Sequence, residues 1–274
     1  MKTQILLMFI LSIALVHYAA GKAPPDSNSP QTLLFVDDHH ILYRSGTERI
    51  LHPATRHGSE PVLKETKSWE VAIAWTSVYR DPATGKYQLW YQAYGGPSTP
   101  LPQCVTCYAE SKDGIHWTKP NLGLFPYGDE TNTNIVMVGN GGTSIRYCNA
   151  VVFDPRDQNP EKRYKMAYFD FGKIDGKEYP GLHVAFSPDG IHWKKPNVPM
   201  PLQKTAYGNY GAPVPFRGEH GREWAVPLSI ADAHDVFYDS RRGVFVDYAK
   251  MWIDGPDGGM FWKHAMGRSE SKDF

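Results

Sequence analysis

The chain has 274 residues with 29 basic and 29 acidic side chains, so its formal net charge is zero. This balance, without a run of Lys or Arg, excludes the electrostatic footprint of a nucleic-acid-binding protein or of a protein that docks on an anionic membrane. Aromatic residues make up 13% of the chain, and 25 Gly with 22 Pro favour short strands joined by tight turns. We therefore expect an all-β protein with an uncharged ligand.

The first residues have the pattern of an export signal. Lys2 precedes an apolar run at residues 5–16, and small residues follow at positions 19–21. We predict a signal peptide over residues 1–21 and a mature protein from residue 22 that is secreted or periplasmic. An uncleaved anchor is the alternative. After cleavage no membrane segment is expected, because no later stretch reaches the roughly 20 apolar residues of a spanning helix.

The rest of the chain contains a unit of four predicted strands. In the first unit, residues 78–91 place two strands around an Asp-Pro-x-x-Gly turn, and residues 108–117 end in Ser-x-Asp-Gly-Ile-His-Trp. A second copy covers residues 152–193, both copies are followed by Lys-Pro-Asn, and a third begins at Val236 and reaches residues 271–274. Alternating apolar and polar residues with Asp-Gly turns predict an antiparallel meander, which is typical of a β-propeller blade.

The Ser-x-Asp-Gly segment is expected to be structural. Ser111 with Asp113, and Ser187 with Asp189, can form hydrogen bonds within a tight turn. The Gly that follows takes the positive φ angle, and the Trp packs between neighbouring sheets. The segment resembles the Asp-box of sialidase-like propellers, except that Gly directly follows Asp.

Taken together, the units resemble exported five-bladed propellers related to glycoside hydrolase families 32 and 43, the arabinanase, levansucrase and invertase group. The resemblance covers about residues 33–274 and rests on the hairpins. It implies a propeller domain over residues 22–274 with about three blades present, incomplete at its C-terminus. Arg80-Asp81-Pro82 is similar to the Arg-Asp-Pro motif of family 32, whose Asp stabilises the transition state. The Asn-Asp-Pro-Asn-Gly nucleophile motif and the Glu-Cys acid motif of that family are absent.

Glycosidic cleavage uses two carboxyl groups about 5 to 9.5 Å apart. In a propeller the innermost strands line a funnel, so acids that open a unit are the ones able to converge on a ligand. The candidate catalytic residues are Asp37, Glu70, Asp81, Asp232 and Asp235. For each, a turn, cap or buried polar network is the alternative role.

The candidates differ in their surroundings. Glu70 follows Trp69 and opens the strand that contains Trp75, and indole faces stack on sugars. Asp37 lies in an Asp-Asp-His-His run that is suited to proton transfer or to cation binding. In Asp232-Ala233-His234-Asp235, strand alternation predicts that the first Asp and the His share one face and that the last Asp takes the other.

Candidate substrate-binding residues are Trp69, Trp75, Asn149 and His234. Asn149 opens the second unit, and its amide can orient a sugar hydroxyl but cannot transfer a proton. We predict no metal and no cofactor. Cys104 and Cys107 form a lone Cys-x-x-Cys, for which we expect one disulfide or none, with Cys148 able to pair with either.

The sequence therefore predicts an exported carbohydrate-active enzyme, a glycoside hydrolase that acts on oligosaccharide or polysaccharide through paired carboxyls. The alternative is a propeller that binds carbohydrate or protein without catalysis, because the fold does not imply the activity.

Overall fold

The computed structural model describes residues 37–38, 41–95, 104–139, 147–174, 177–197, 202–203, 214–217, 223–226, 228–253 and 263–274. The chain divides into two compact units, Met1–Gly58 and Ser59–Phe274. The predicted signal peptide lies outside the described residues, as do His39 and His40. Within the described residues, no helix is long and apolar enough to cross a membrane.

The first unit has no strand or helix in its described residues. Asp38 pairs there with the guanidinium groups of Arg44 and Arg49. Asp37 lies beside it and is exposed.

Antiparallel sheets make up the second unit, and a 3-10 helix over Pro160–Lys162 is the one helix described in it. The first sheet has the order β1 (Ala72–Arg80), β2 (Tyr87–Tyr94), β3 (Cys104–Ser111) and β4 (Trp117–Thr118), and β5 (Ile135–Met137) also pairs with β3. The second sheet has the order β6 (Tyr147–Phe153), β7 (Tyr164–Ile174), β8 (Lys177–Ser187) and β9 (Leu202–Gln203).

β10 (Val214–Arg217) and β11 (Glu223–Val226) form a separate hairpin. The third sheet has the order β12 (Leu228–Asp239), β13 (Val244–Ile253) and β14 (Lys263–Ser271). The all-β prediction is confirmed, and the sheets of the described residues do not close into a ring.

The two complete Ser-x-Asp-Gly hairpins have the same hydrogen bonds. Ser111 Oγ accepts from the N–H of Gly114 at 2.9 Å, and Ser187 Oγ accepts from that of Gly190 at 2.9 Å. Both glycines have positive φ, 75° and 78°. These bonds fold each hairpin tightly, and in the second sheet Gly190 and Trp193 pack against Trp90 of the first sheet.

The first and second sheets pack through large aromatic side chains. Trp90 is fully buried, and its Nε1 donates to the carbonyl of Gly190 at 2.6 Å. Its ring lies 5.8 Å from that of Tyr164 and 6.5 Å from that of Trp193. The hairpin of the second sheet is therefore the element that docks on the first sheet.

Register places certain residues of the three sheets in corresponding positions. Ser111 pairs with Tyr87, Ser187 with Tyr164, and Ser271 with Phe245. The residues three positions after these aromatic partners are Trp90, Ala167 and Tyr248. These three residues therefore occupy corresponding positions in the three sheets.

Candidate functional site

The first strand of each of the three sheets has a register shift near its beginning. The shifts fall between Ala74 and Ser77 in β1, between Tyr147 and Asn149 in β6, and between Ile230 and His234 in β12. Such irregularities re-aim side chains and are over-represented beside functional sites. β6 contacts both β1 and β12, so the three shifted segments belong to neighbouring strands.

Ser77 joins the first two of these strands directly. Its hydroxyl donates to the carbonyl oxygen of Asn149 at 2.8 Å and accepts from the N–H of Val151 at 3.0 Å. One side chain therefore holds both strands at the point where both are irregular.

Trp75 lies inside the shifted segment of β1 and has a strained backbone. Its φ is 41°, the one positive φ of a non-glycine residue among those described. For a bulky side chain this conformation costs roughly 1 to 3 kcal/mol, and such strain clusters at functional sites. The indole is 40% exposed and lies 5.8 Å from the ring of Tyr94. Together the two rings offer an accessible aromatic surface.

Asn149 has a buried side chain with unused hydrogen-bonding capacity. The residue is 2% exposed, and neither its Nδ2 nor its Oδ1 has a partner in the described part of the chain. An unpaired buried amide costs about 1 to 3 kcal/mol per group, so this one is suited to a hydroxyl of a ligand or to an ordered water.

A polar cluster beside Asn149 was not predicted from the sequence. Tyr168 pairs with Asn149 across the sheet, and its ring stacks on that of His183 at 5.6 Å. Lys195 Nζ lies 5.9 Å from the Tyr168 ring and donates to the carbonyl of Val138 at 2.6 Å. The sequence feature that could have pointed to Lys195 is the Lys-Pro-Asn segment, which follows both hairpins.

Burial dominates the electrostatics of this cluster. It lowers the pKa of His183 to about 4, with the nearby Lys195 ammonium adding to the effect. It also lowers the pKa of Lys195, which the charge of Asp170 partly opposes. His183 is therefore neutral near pH 7 and can donate or accept a hydrogen bond, but it does not carry a charge.

Glu70 is enclosed instead of open to a ligand. Its side chain is 0% exposed and accepts from the Tyr91 hydroxyl at 2.5 Å, from Lys119 Nζ at 2.6 Å and from the N–H groups of Thr66 and Lys67 at 2.8 and 3.1 Å. Four donors satisfy this carboxylate, an arrangement that favours a structural anion over a catalyst. The neighbouring Trp69 is 2% exposed and packs against Tyr127, so this predicted sugar site has no open surface.

Asp81 lies in the turn between β1 and β2. Its carboxylate accepts from Thr84 Oγ1 at 2.7 Å and from the N–H of Ala83 at 2.9 Å, and these hydrogen bonds lower its pKa. Asp239 accepts from the N–H of Arg241 at 3.0 Å in the β12–β13 turn. Asp81 follows the last residue of β1 whereas Glu70 precedes its first, and the two carboxylates share no partner among the described residues.

The carboxyls of the third sheet are arranged differently from the prediction. Asp232 binds Lys250 Nζ at 2.9 Å, whereas His234 Nδ1 lies 3.2 Å from Asp247. Asp247 and Lys250 are three residues apart on a regular strand and therefore point to opposite faces. The register shift in β12 thus separates Asp232 from His234, because the alternation rule assumed an unbroken pleat.

The same shift brings Asp232 and Asp235 to one face of the third sheet. Asp235 pairs with Tyr248, which shares its face with Lys250. Asp235 is exposed, and the side chain of Asp232 is 30% exposed. His234 has a side-chain exposure of 0% and stacks on Phe169 at 6.2 Å on the other face.

The remaining candidates contribute no assembled centre. Asp37 belongs to the first unit. Among the described residues, no group of three His, Cys, Asp or Glu side chains could hold a metal ion. Cys104 and Cys107 are buried in separate clusters on opposite faces of β3, so they cannot bond to each other, and the side chain of Cys148 lies outside the description.

No family model matches the chain, and no curated protein matches it. Among solved structures, an N-acetylgalactosamine deacetylase from F. plautii in complex with blood group B trisaccharide matches at 14% identity and TM-score 0.45, over 78% of this chain and 53% of that one. Sucrose-6-phosphate hydrolase from Lactobacillus gasseri matches at 14% identity and TM-score 0.38, over 69% and 30%. A protein titled glycoside hydrolase matches at 14% identity and TM-score 0.33, over 76% and 73%.

The chain thus spans about half of the first of these proteins and less than a third of the second. At these identities and scores, none of the matches assigns a substrate or a residue role to this chain.

Proposed function

We propose that this chain is an exported carbohydrate-active protein of the propeller type, which binds sugar where β1, β6 and β12 begin. The observation that carries the proposal is Trp75, whose exposed indole is held at a φ of 41° inside an irregular strand. The exposed part of this indole, beside the ring of Tyr94, is a flat apolar surface, and such a surface stacks on the C–H faces of a sugar ring.

Two neighbouring features supply the polar part of sugar recognition. The buried amide of Asn149 can donate to and accept from hydroxyl groups. His183 is neutral and offers a donor or an acceptor without a charge. A neutral hydroxylated ligand fits this combination of uncharged polar groups and aromatic surface.

The more specific proposal is that the protein hydrolyses the bound sugar, with Asp232 and Asp235 as the pair of catalytic carboxyls. Both lie on one face of the third sheet, and Lys250 pairs with Asp232, as suits a carboxylate that acts as base or nucleophile. Asp235, for which the described residues supply no such cation, would be the acid that protonates the leaving group. Glu70 and Asp81 are left to structural roles.

Titration calorimetry with neutral oligosaccharides tests the binding site. Trp75→Ala should weaken binding at least about tenfold, equivalent to 1.4 kcal/mol, and Trp75→Phe should weaken it less because a smaller ring remains. Trp117→Phe, in the hairpin after β3, is the control and should leave the affinity unchanged. Equal affinity of the wild type and Trp75→Ala would refute the site.

A non-catalytic sugar-binding protein is the second candidate, favoured by the structural use of Glu70 and Asp81. Assays of glycoside cleavage with Asp232→Asn and Asp235→Asn separate the two. Cleavage that is lost in both variants while the affinity is retained supports hydrolysis. Binding without cleavage by the wild type supports the second candidate.

A further inference from the structure

A cavity of about 350 Å³ lies between the second and third sheets. Its walls are mostly apolar and include Ala167 and Val184 from the second sheet and Phe245 from the third, with Phe274 beside them. The carboxylate of Asp247 also lines it. This volume is within the range of sites for small molecules.

The cavity exists because small residues replace large ones. At the corresponding position between the first and second sheets, Trp90 and Tyr108 pair across the strands, and both are buried. In the second sheet the corresponding pair is Ala167 and Val184. The side chains that close the first interface are therefore missing from the second one.

Asp247 is a charged residue at a position that is apolar in the other two sheets. Asp247 lies two residues after Phe245. The residues two positions after Tyr87 and Tyr164 are Leu89 and Met166, and both are buried. Asp247 is 7% exposed, and His234 Nδ1, at 3.2 Å, is its one hydrogen-bond partner among the described residues. The third sheet therefore has a carboxylate where the other two sheets have an apolar side chain.

Glu70 shows what a satisfied buried carboxylate requires in this protein, namely four donors that include the ammonium of Lys119. Among the described residues Asp247 has one partner, the imidazole of His234 at 3.2 Å, which offsets its charge only when it is protonated. A buried carboxylate that lacks compensation carries a large desolvation cost, which a cation in the adjoining space would reduce.

The other two acids around the cavity differ from Asp247, because Glu270 is paired with cations and Asp273 is exposed, so that water screens its charge. Glu270 pairs with Arg242 and Arg268, and Asp273 accepts from the hydroxyl of Ser271 at 3.2 Å. Among the described lining residues there is no Lys or Arg. The buried negative charge that faces the cavity is therefore that of Asp247, which lies beside the imidazole of His234 and among aliphatic and aromatic groups.

We propose that this cavity is a binding site for a small organic cation, an amine or quaternary ammonium with an apolar body, whose cationic group meets Asp247. The apolar body lies against Ala167, Val184 and the ring of Phe245, which line the cavity. The site is on the face of the third sheet opposite to Asp232, and it does not depend on the proposed sugar site.

Benzylamine and benzyl alcohol are a matched pair of probes, since they share the ring and differ in charge near pH 7. Titration of the full chain, followed by calorimetry and by the NMR signals of the benzyl group, should show benzylamine binding at least about tenfold more tightly. Asp247→Asn should abolish this preference. Ala167→Leu, which fills the cavity, should weaken both probes.

Val184→Tyr is a second filling variant in case Ala167→Leu fails to fold, because Tyr is the residue that the first sheet has in that place. Val78→Leu, on an exposed part of β1, is the control and should leave the affinities unchanged. Absence of benzylamine binding, equal affinity for the two probes, or a preference that survives Asp247→Asn would overturn the proposal.

Discussion

Gly190→Ala should test how the second sheet docks on the first. A Cβ at Gly190 would lie 2.5 Å from Cζ2 of Trp90 and 3.2 Å from Cδ1 of Tyr164. These aromatic rings are packed between the sheets and cannot simply turn aside. The substitution should therefore open the interface or displace the hairpin, and it should disturb the 2.6 Å hydrogen bond from Trp90 Nε1 to the Gly190 carbonyl.

The magnitude has two parts. A positive φ costs a residue with a Cβ about 1 to 2 kcal/mol, and overpacking of a buried contact costs about 1 to 3 kcal/mol more. Gly114→Ala is a matched control, because Gly114 has a φ of 75° in the same kind of hairpin, but its Cβ would meet Tyr87 at an ordinary 3.5 Å. It should incur only the backbone part, so the two variants should differ by about 1 to 3 kcal/mol.

Urea unfolding followed by tryptophan fluorescence measures both free energies of unfolding. Trp90 fluorescence should also shift in Gly190→Ala before unfolding begins, because its ring environment changes. Equal destabilisation by Gly114→Ala and Gly190→Ala would show that the inter-sheet contact contributes nothing beyond the backbone conformation, and the docking account would then be wrong.

Two further predictions concern buried charge. His183 has a pKa of about 4 in the folded chain, against about 6.5 when unfolded, so the unfolded state binds more protons between these values. The free energy of unfolding should fall by about 3 kcal/mol as pH drops from 7 to 4, and His183→Gln should remove this part of the pH dependence in urea titrations. Glu70→Gln should cost about 3 to 5 kcal/mol because it leaves the Lys119 ammonium buried without its anion. Adding Lys119→Met should recover part of that loss, and no recovery in thermal unfolding would contradict the structural role.

Local chemistry explains which features could be predicted from the sequence. The turn at Asp81 follows from Asp-Pro-x-x-Gly, and the hairpin bonds of Ser111 and Asp113 follow from side chains that reach backbone N–H groups only two or three residues away. Such contacts depend on near neighbours in the chain. Each hairpin motif therefore predicts its own geometry, whatever the rest of the fold does.

Long-range contacts and irregular strands could not be predicted in this way. Lys119 reaches Glu70 across 49 positions, and neither residue is distinguished from a surface charge by its neighbours in sequence. The faces of Asp232 and His234 were assigned on the assumption of regular alternation, which a register shift in β12 breaks. A shift of this kind depends on pairing with β13, and an isolated stretch of residues contains no such information.

The proposed sugar site depends on the interface between the first and second sheets, which the hairpin of the second sheet stabilises. Trp75 is strained by roughly 1 to 3 kcal/mol, and a conformation of this kind persists only where the surroundings hold it. Ser77, two residues on, is fixed to Asn149 and Val151 of the second sheet by hydrogen bonds of 2.8 and 3.0 Å. The docking of the second sheet on the first therefore supports the exposed indole and positions the buried amide. A change that loosens this interface should weaken sugar binding even when it lies far from the site.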